Sequence, residues 1–127
     1  MVKLAAQYQA EFTNRKNKVI AYDQQLGEIE KKVTENNAAL VSEQQSLLSE
    51  SARLDTLLAS GDIDTYNANV ASYNNKVSAY RGRLAETRSL VEQYKTILDQ
   101  RNAVAVEAQE LNKALDSRIQ TKATDIQ

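Results

Sequence analysis

Apolar residues return every seven positions along almost the whole chain. In the second half one column, labelled a, reads Ile63, Val70, Val77, Leu84, Val91, Leu98, Ala105, Asn112, Ile119 and Ile126, apolar everywhere except at Asn112. Three residues beyond each lies column d: Tyr66, Tyr73, Tyr80, Thr87, Tyr94, Arg101, Ala108, Leu115 and Lys122. In the first half column a reads Ala5, Phe12, Val19, Leu26, Val33, Leu40, Leu47 and Leu54, and column d reads Tyr8, Arg15, Tyr22, Ile29, Asn36, Glu43, Glu50 and Leu57. All six tyrosines fall in column d. A repeat of seven held over this many turns describes a helix with a narrow seam that follows a partner helix and supercoils left-handedly. The pattern predicts an all-α fold, a long antiparallel two-helix coiled-coil hairpin, with a four-helix bundle as its dimer.

Chain breakers sharpen this picture. There is no proline, and glycine occurs only three times, so helices can run on with little interruption. The repeat breaks near Ser60, Gly61 and Asp62. Gly61 can take the left-handed conformation that ends a helix, and Asp62 or Asp64 can cap the next one by accepting from its free N–H groups. Ile63, just before Asp64, is placed to act as a hydrophobic staple. The 127 residues thus read as a single hairpin, with helix 1 over about 2–59, a turn over about 60–64 and helix 2 over about 65–126. Arms of that size would each extend on the order of 90 Å.

Folding the arms back about this turn sets a column opposite d column. Leu57 then meets Ile63, Leu54 meets Tyr66, Leu47 meets Tyr73, Leu40 meets Tyr80, Leu26 meets Tyr94, Phe12 meets Ala108 and Arg15 meets Ala105. The same register brings Asp23 near Lys95, Glu30 near Arg88 and Glu43 near Lys76. Exposed pairs of this kind add only about 0.2–1 kcal/mol each, so they select register more than they stabilise.

Composition narrows the chemistry. Histidine and cysteine are absent, which removes the commonest general base, the thiol nucleophile and most transition-metal ligands. No glycine-rich phosphate loop occurs. The reading is therefore not an enzyme, with no catalytic residue, no cofactor and no metal. Asp62 and Asp64 lack the further oxygen ligands of a calcium loop. With a net charge of −1, neither nucleic acid nor an anionic membrane is an expected partner. The basic run of Lys76, Arg81, Arg83 and Arg88 is interrupted by Glu86 and faced by acidic residues of the first arm. No stretch approaches the roughly 18 apolar residues that span a bilayer, so membrane insertion is not expected. The opening residues, from Met1 to Gln7, lack the apolar core of a secretory signal, and the compartment stays open.

What a simple hairpin does not require is apolar surface beyond its seam. Leu90, Ile97, Val104 and Leu111 recur every seven residues at column g of the second arm, beside the seam. On the first arm Val41 and Leu48 lie at column b, also off the seam. Gly27 and Gly82 fall at outward positions. Together these predict a second interface, most simply a homodimer, with docking of another protein as the alternative.

The run from Tyr66 to Val77, YNANVASYNNKV, resembles the YNxxVxx heptads of bacterial coiled-coil segments, some of which lie beside zinc-protease domains. The resemblance implies a helical accessory segment; the zinc motif HExxH is absent from this chain. The hairpin architecture is also similar to the α-helical hairpins of periplasmic adaptor proteins, which contact their channel partners through the tip. The resulting expectation is a structural or interaction module, a scaffold or spacer that self-associates. Its alternative is a hairpin that docks a partner through its tip or through the Leu90, Ile97, Val104 and Leu111 stripe.

Overall fold

The computed structural model describes residues 2–126, with side chains placed for residues 4–117. Ile119, Lys122 and Ile126, which extend the sequence columns, lie outside the described side chains. Two helices, α1 (Val2–Ser60) and α2 (Ile63–Ile126), pack against each other as an all-α hairpin. No strand occurs among the described residues.

The turn is tighter than the sequence suggests, because only Gly61 and Asp62 separate the helices. Gly61 has φ +79°, the left-handed conformation that costs a residue with a Cβ. Its N–H donates to the Leu58 carbonyl at 3.2 Å, and the Asp62 N–H donates to the Leu57 carbonyl at 3.2 Å. This pair of bonds is a Schellman motif, and it satisfies carbonyls that the end of α1 would otherwise leave open. Ser60 Oγ donates to the Leu57 carbonyl as well, at 2.9 Å. Asp62 is then the N-cap of α2: its carboxylate accepts from the Thr65 N–H at 3.3 Å, and its carbonyl accepts the first helical bond from Tyr66 at 3.0 Å. Of the two candidate caps the fold uses Asp62. Asp64 sits inside the first turn, where a carboxylate complements the positive end of the helix dipole. Ile63 is already the first helical residue and is exposed, so the expected staple does not form; the residue before the cap is Gly61, which has nothing to contribute.

The helix pair divides into two compact units. The turn unit is Ile29–Glu92; the terminal unit combines α1 up to Glu28 with α2 from Gln93 onward. In the turn unit α1 covers Ile29, Val33, Asn36, Leu40, Glu43, Leu47, Glu50, Leu54 and Leu57, and α2 covers Tyr66, Val70, Tyr73, Val77, Tyr80, Leu84, Thr87 and Val91. Both series step by three and four residues, so burial keeps the a and d spacing. In the terminal unit the α1 series continues as Tyr8, Phe12, Arg15, Val19, Tyr22 and Leu26. At its start Leu4 is half-buried and Ala5 exposed.

Among the described side chains of α2 the most buried is Thr87, at 6% exposure. Its hydroxyl donates to the Arg83 carbonyl at 2.8 Å, so a polar side chain enters the seam without an unmet donor. Beside it lies a polar group built from three side chains. Arg83 Nε donates to Glu43 Oε1 at 2.7 Å, and Arg83 Nη1 reaches Asn36 Oδ1 at 3.4 Å. Asn36 Nδ2 and Glu43 Oε2 are buried without a partner in the chain. Lys76 pairs with Glu50 nearer the turn. In the terminal unit Arg101 Nε donates to Asp23 at 2.9 Å, and Arg15 bridges Glu107, at 3.0 Å, and Glu11.

These partners differ from those the sequence assigns. Glu43 takes Arg83 in place of Lys76, Asp23 takes Arg101, and Glu30 and Arg88 form no ion pair with each other. The cause is the direction in which helical side chains lean. Each Cα–Cβ bond tilts toward the N-terminus of its own helix. On α2 that is toward the turn and on α1 it is away from it, so Arg83 and Lys76 reach past the residues level with them, and the carboxylates lean back to meet them.

Gly61→Ala is expected to lower stability in urea unfolding by about 1–2 kcal/mol through left-handed strain alone, since open space surrounds its Cβ position. Gly82→Ala, inside α2 and equally open, is expected to raise stability by about 1 kcal/mol. Arg83→Ala, which strands the half-buried Glu43, is expected to cost about 1–2 kcal/mol. Asn36→Leu, which removes the unpartnered Nδ2 at the cost of a long bond from Arg83 to Oδ1, is expected to raise the thermal midpoint; a fall would show that the amide is needed in the seam.

Candidate functional site

The residues singled out beyond the seam have different fates. In the turn unit Leu90 is 9% exposed, so it is already covered within the hairpin and is no part of an outside surface. In the terminal unit Ile97, Val104 and Leu111 are half-buried. There α2 covers column g together with a and d: Leu98, Arg101, Ala105, Ala108 and Leu115 are all covered as well, while Asn112 is exposed. The face of α2 there takes in column g as well, as it does at the half-buried Asn69 and Arg83 of the turn unit. Column d lies at the middle of that face, which accounts for the burial of two small residues there, Thr87 and Ala108. Small side chains at the centre let the helices approach while larger ones flank them.

Val41 and Leu48 behave otherwise. They are 57% and 67% exposed, and both belong to the turn unit. Around them the surface is free of charge. Across residues 37–52 the only ionisable side chains are Glu43 and Glu50, and both are turned to α2, where they pair with Arg83 and Lys76. What faces outward is Ala38, Val41, Ser42, Gln45, Leu48, Ser49 and Ala52. Depletion of charge is the compositional mark of an interface centre. Leu58 and Ile63 add two half-exposed apolar side chains beside the turn. In the terminal unit Ile20 and Val106 are exposed, each on its own helix.

The remaining candidates are structural. Tyr66, Tyr73, Tyr80 and Tyr94 are half-buried, as expected for rings packed into a seam with hydroxyls at its wet edge. Two cations of the basic run, Lys76 and Arg83, are held in ion pairs. Asp62 is occupied as a cap, and no group of three or more potential ligands among the described residues could hold a metal ion. No helix among the described residues is long and apolar enough to cross a membrane. A groove of about 350 Å³ in the turn unit is lined by Ser42, Glu43, Ser46, Leu47, Lys76 and Ala79. Its two charged walls are the residues already engaged in ion pairs. Arg15, which donates hydrogen bonds to Glu11 and Glu107, is pushed up from its already high pKa, by Glu11 first and then Glu107, so it stays a fixed cation at any working pH.

The sequence pointed to Val41 and Leu48 by their column alone. It did not single out the uncharged face around them, although the gap in charge over residues 37–52 is plain in the sequence. No protein-family model matches the chain, and no match was found among curated proteins or solved structures.

Proposed function

We propose that this chain is a structural or interaction module, a coiled-coil scaffold or spacer that works by associating with a second copy of itself. The observation that carries this reading is the exposure of Leu48 and Val41, at 67% and 57%, on a charge-free face of α1. Apolar side chains held open on an uncharged surface favour burial against another protein, because covering them releases roughly 25 cal/mol per Å² of apolar area. The heptad columns support the coiled-coil character. Carboxylates and cations pair with one another along both arms, which suits a part that holds position and carries out no reaction.

A second reading, a hairpin that docks a partner through its tip, is favoured by the half-exposed Leu58 and Ile63 beside the turn. The two readings separate in solution. Sedimentation equilibrium over a wide concentration range is expected to give a dimer, and Leu58→Ser with Ile63→Ser is expected to leave its mass unchanged. A monomer at every concentration would transfer the assignment to the tip.

A further inference from the structure

We infer that the outside of α1 carries a second, homotypic seam on which another copy of the chain packs antiparallel. This rests on the self-association reading and specifies its surface and direction. Lys31, Thr34, Ala38, Val41, Gln45, Leu48, Ala52 and Asp55 are all exposed, and they follow one another at steps of three and four residues. That is the spacing of a helix–helix seam, on the face of α1 away from α2 and wholly within the turn unit. The Thr34 hydroxyl already donates to the Glu30 carbonyl at 2.9 Å, so it brings no unmet donor to a contact.

The stripe is its own complement. In an antiparallel pair a residue of one column faces a residue of the other, and a two-fold axis repeats every contact. Leu48 then meets Ala38 of the second copy, Val41 meets Gln45, and Ala52 meets Thr34, so each larger side chain faces a smaller or flexible one. At both ends Lys31 meets Asp55. Neither has an ion-pair partner within the chain among the described residues. Between residues 37 and 51 the flanks are neutral as well: Gln44 faces its own copy, Ser42 faces its own copy, and Asn37 faces the half-buried Ser51, while further out Glu35 faces the uncharged Ser49. A parallel pair would place Lys31 beside Lys31 and Asp55 beside Asp55, and like charges so placed select against it. An acidic or basic partner would find no countercharge across residues 37–52, whereas a second copy brings the same neutral face.

The full chain contains no cysteine, so single spin labels report only distances between copies. A label at Ser42 is expected to show a short distance, within about 20 Å, and one at Thr56 an axial separation of about 40 Å, at 1.5 Å per residue about the two-fold. Short distances at both would mean parallel pairing and would overturn the register. Val41→Lys with Leu48→Lys is expected to raise the dimer dissociation constant about tenfold or more, with circular dichroism unchanged because both residues are exposed. Lys31→Glu is expected to weaken the dimer, and adding Asp55→Lys to restore it. A dimer indifferent to all of these would leave self-association standing and reject this seam. A wild-type chain that stays monomeric would reject both.

Discussion

Two helices alone can bury only a stripe of each, and that constraint governs everything else in this protein. Among the described residues no large side chain is completely enclosed; even the most covered leucine, Leu26, keeps 7% of its surface in water. A seam so thin cannot draw its stability from a thick apolar core. It draws it from repetition, with each step of three or four residues adding another modest contact along the pair. For the same reason polar residues are tolerated in the seam, since each keeps an edge near solvent.

In the turn unit that tolerance is used fully. Asn36, Glu43 and Glu50 occupy the same column of α1 as Ile29 and Leu57, and from α2 Arg83 answers Glu43 and Asn36 while Lys76 answers Glu50. Replacing such groups by leucines would gain apolar burial. What the polar set supplies is discrimination: slipping α2 by a heptad one way would set Leu90 against Glu43 and leave a half-buried carboxylate facing an apolar side chain, and the other way would set Asn69 against Glu50 and lose one of the two ion pairs. It also keeps charge inside the pair, so that nothing charged points outward from α1 across residues 37–52.

The all-α hairpin and the position of its break were legible because both rest on local rules: a heptad period, the lack of proline, and a glycine beside an aspartate. What was not legible depended on three dimensions. Ion pairs were matched between residues at the same level, whereas Arg83 and Glu43 meet only because side chains on antiparallel helices lean past one another. Leu90 counts as surplus in a strict two-column seam, yet the face of α2 is wide enough at that point to take it in. The choice between Asp62 and Asp64 as cap turned on the Schellman bonds, which fix where α1 stops and leave Asp62 as the one residue positioned to start α2. The uncharged face, by contrast, was in plain view and needed only the pairing of Glu43 and Glu50 to show that nothing charged points outward there.

The turn at Gly61 has a consequence for assembly. Every contact between α1 and α2 could be made equally well by α1 of one molecule and α2 of another, so the seam itself does not distinguish a chain folded on itself from two chains exchanged. The positive φ of Gly61 does. While that residue is left-handed, each helix finds its partner at the effective concentration set by a two-residue tether, in the millimolar range or above. Were the residue to turn right-handed, α1 and α2 would become one helix and the same seam would be satisfied only by exchange. Whether this sequence folds alone or swaps with its neighbour thus rests on the sign of one backbone angle.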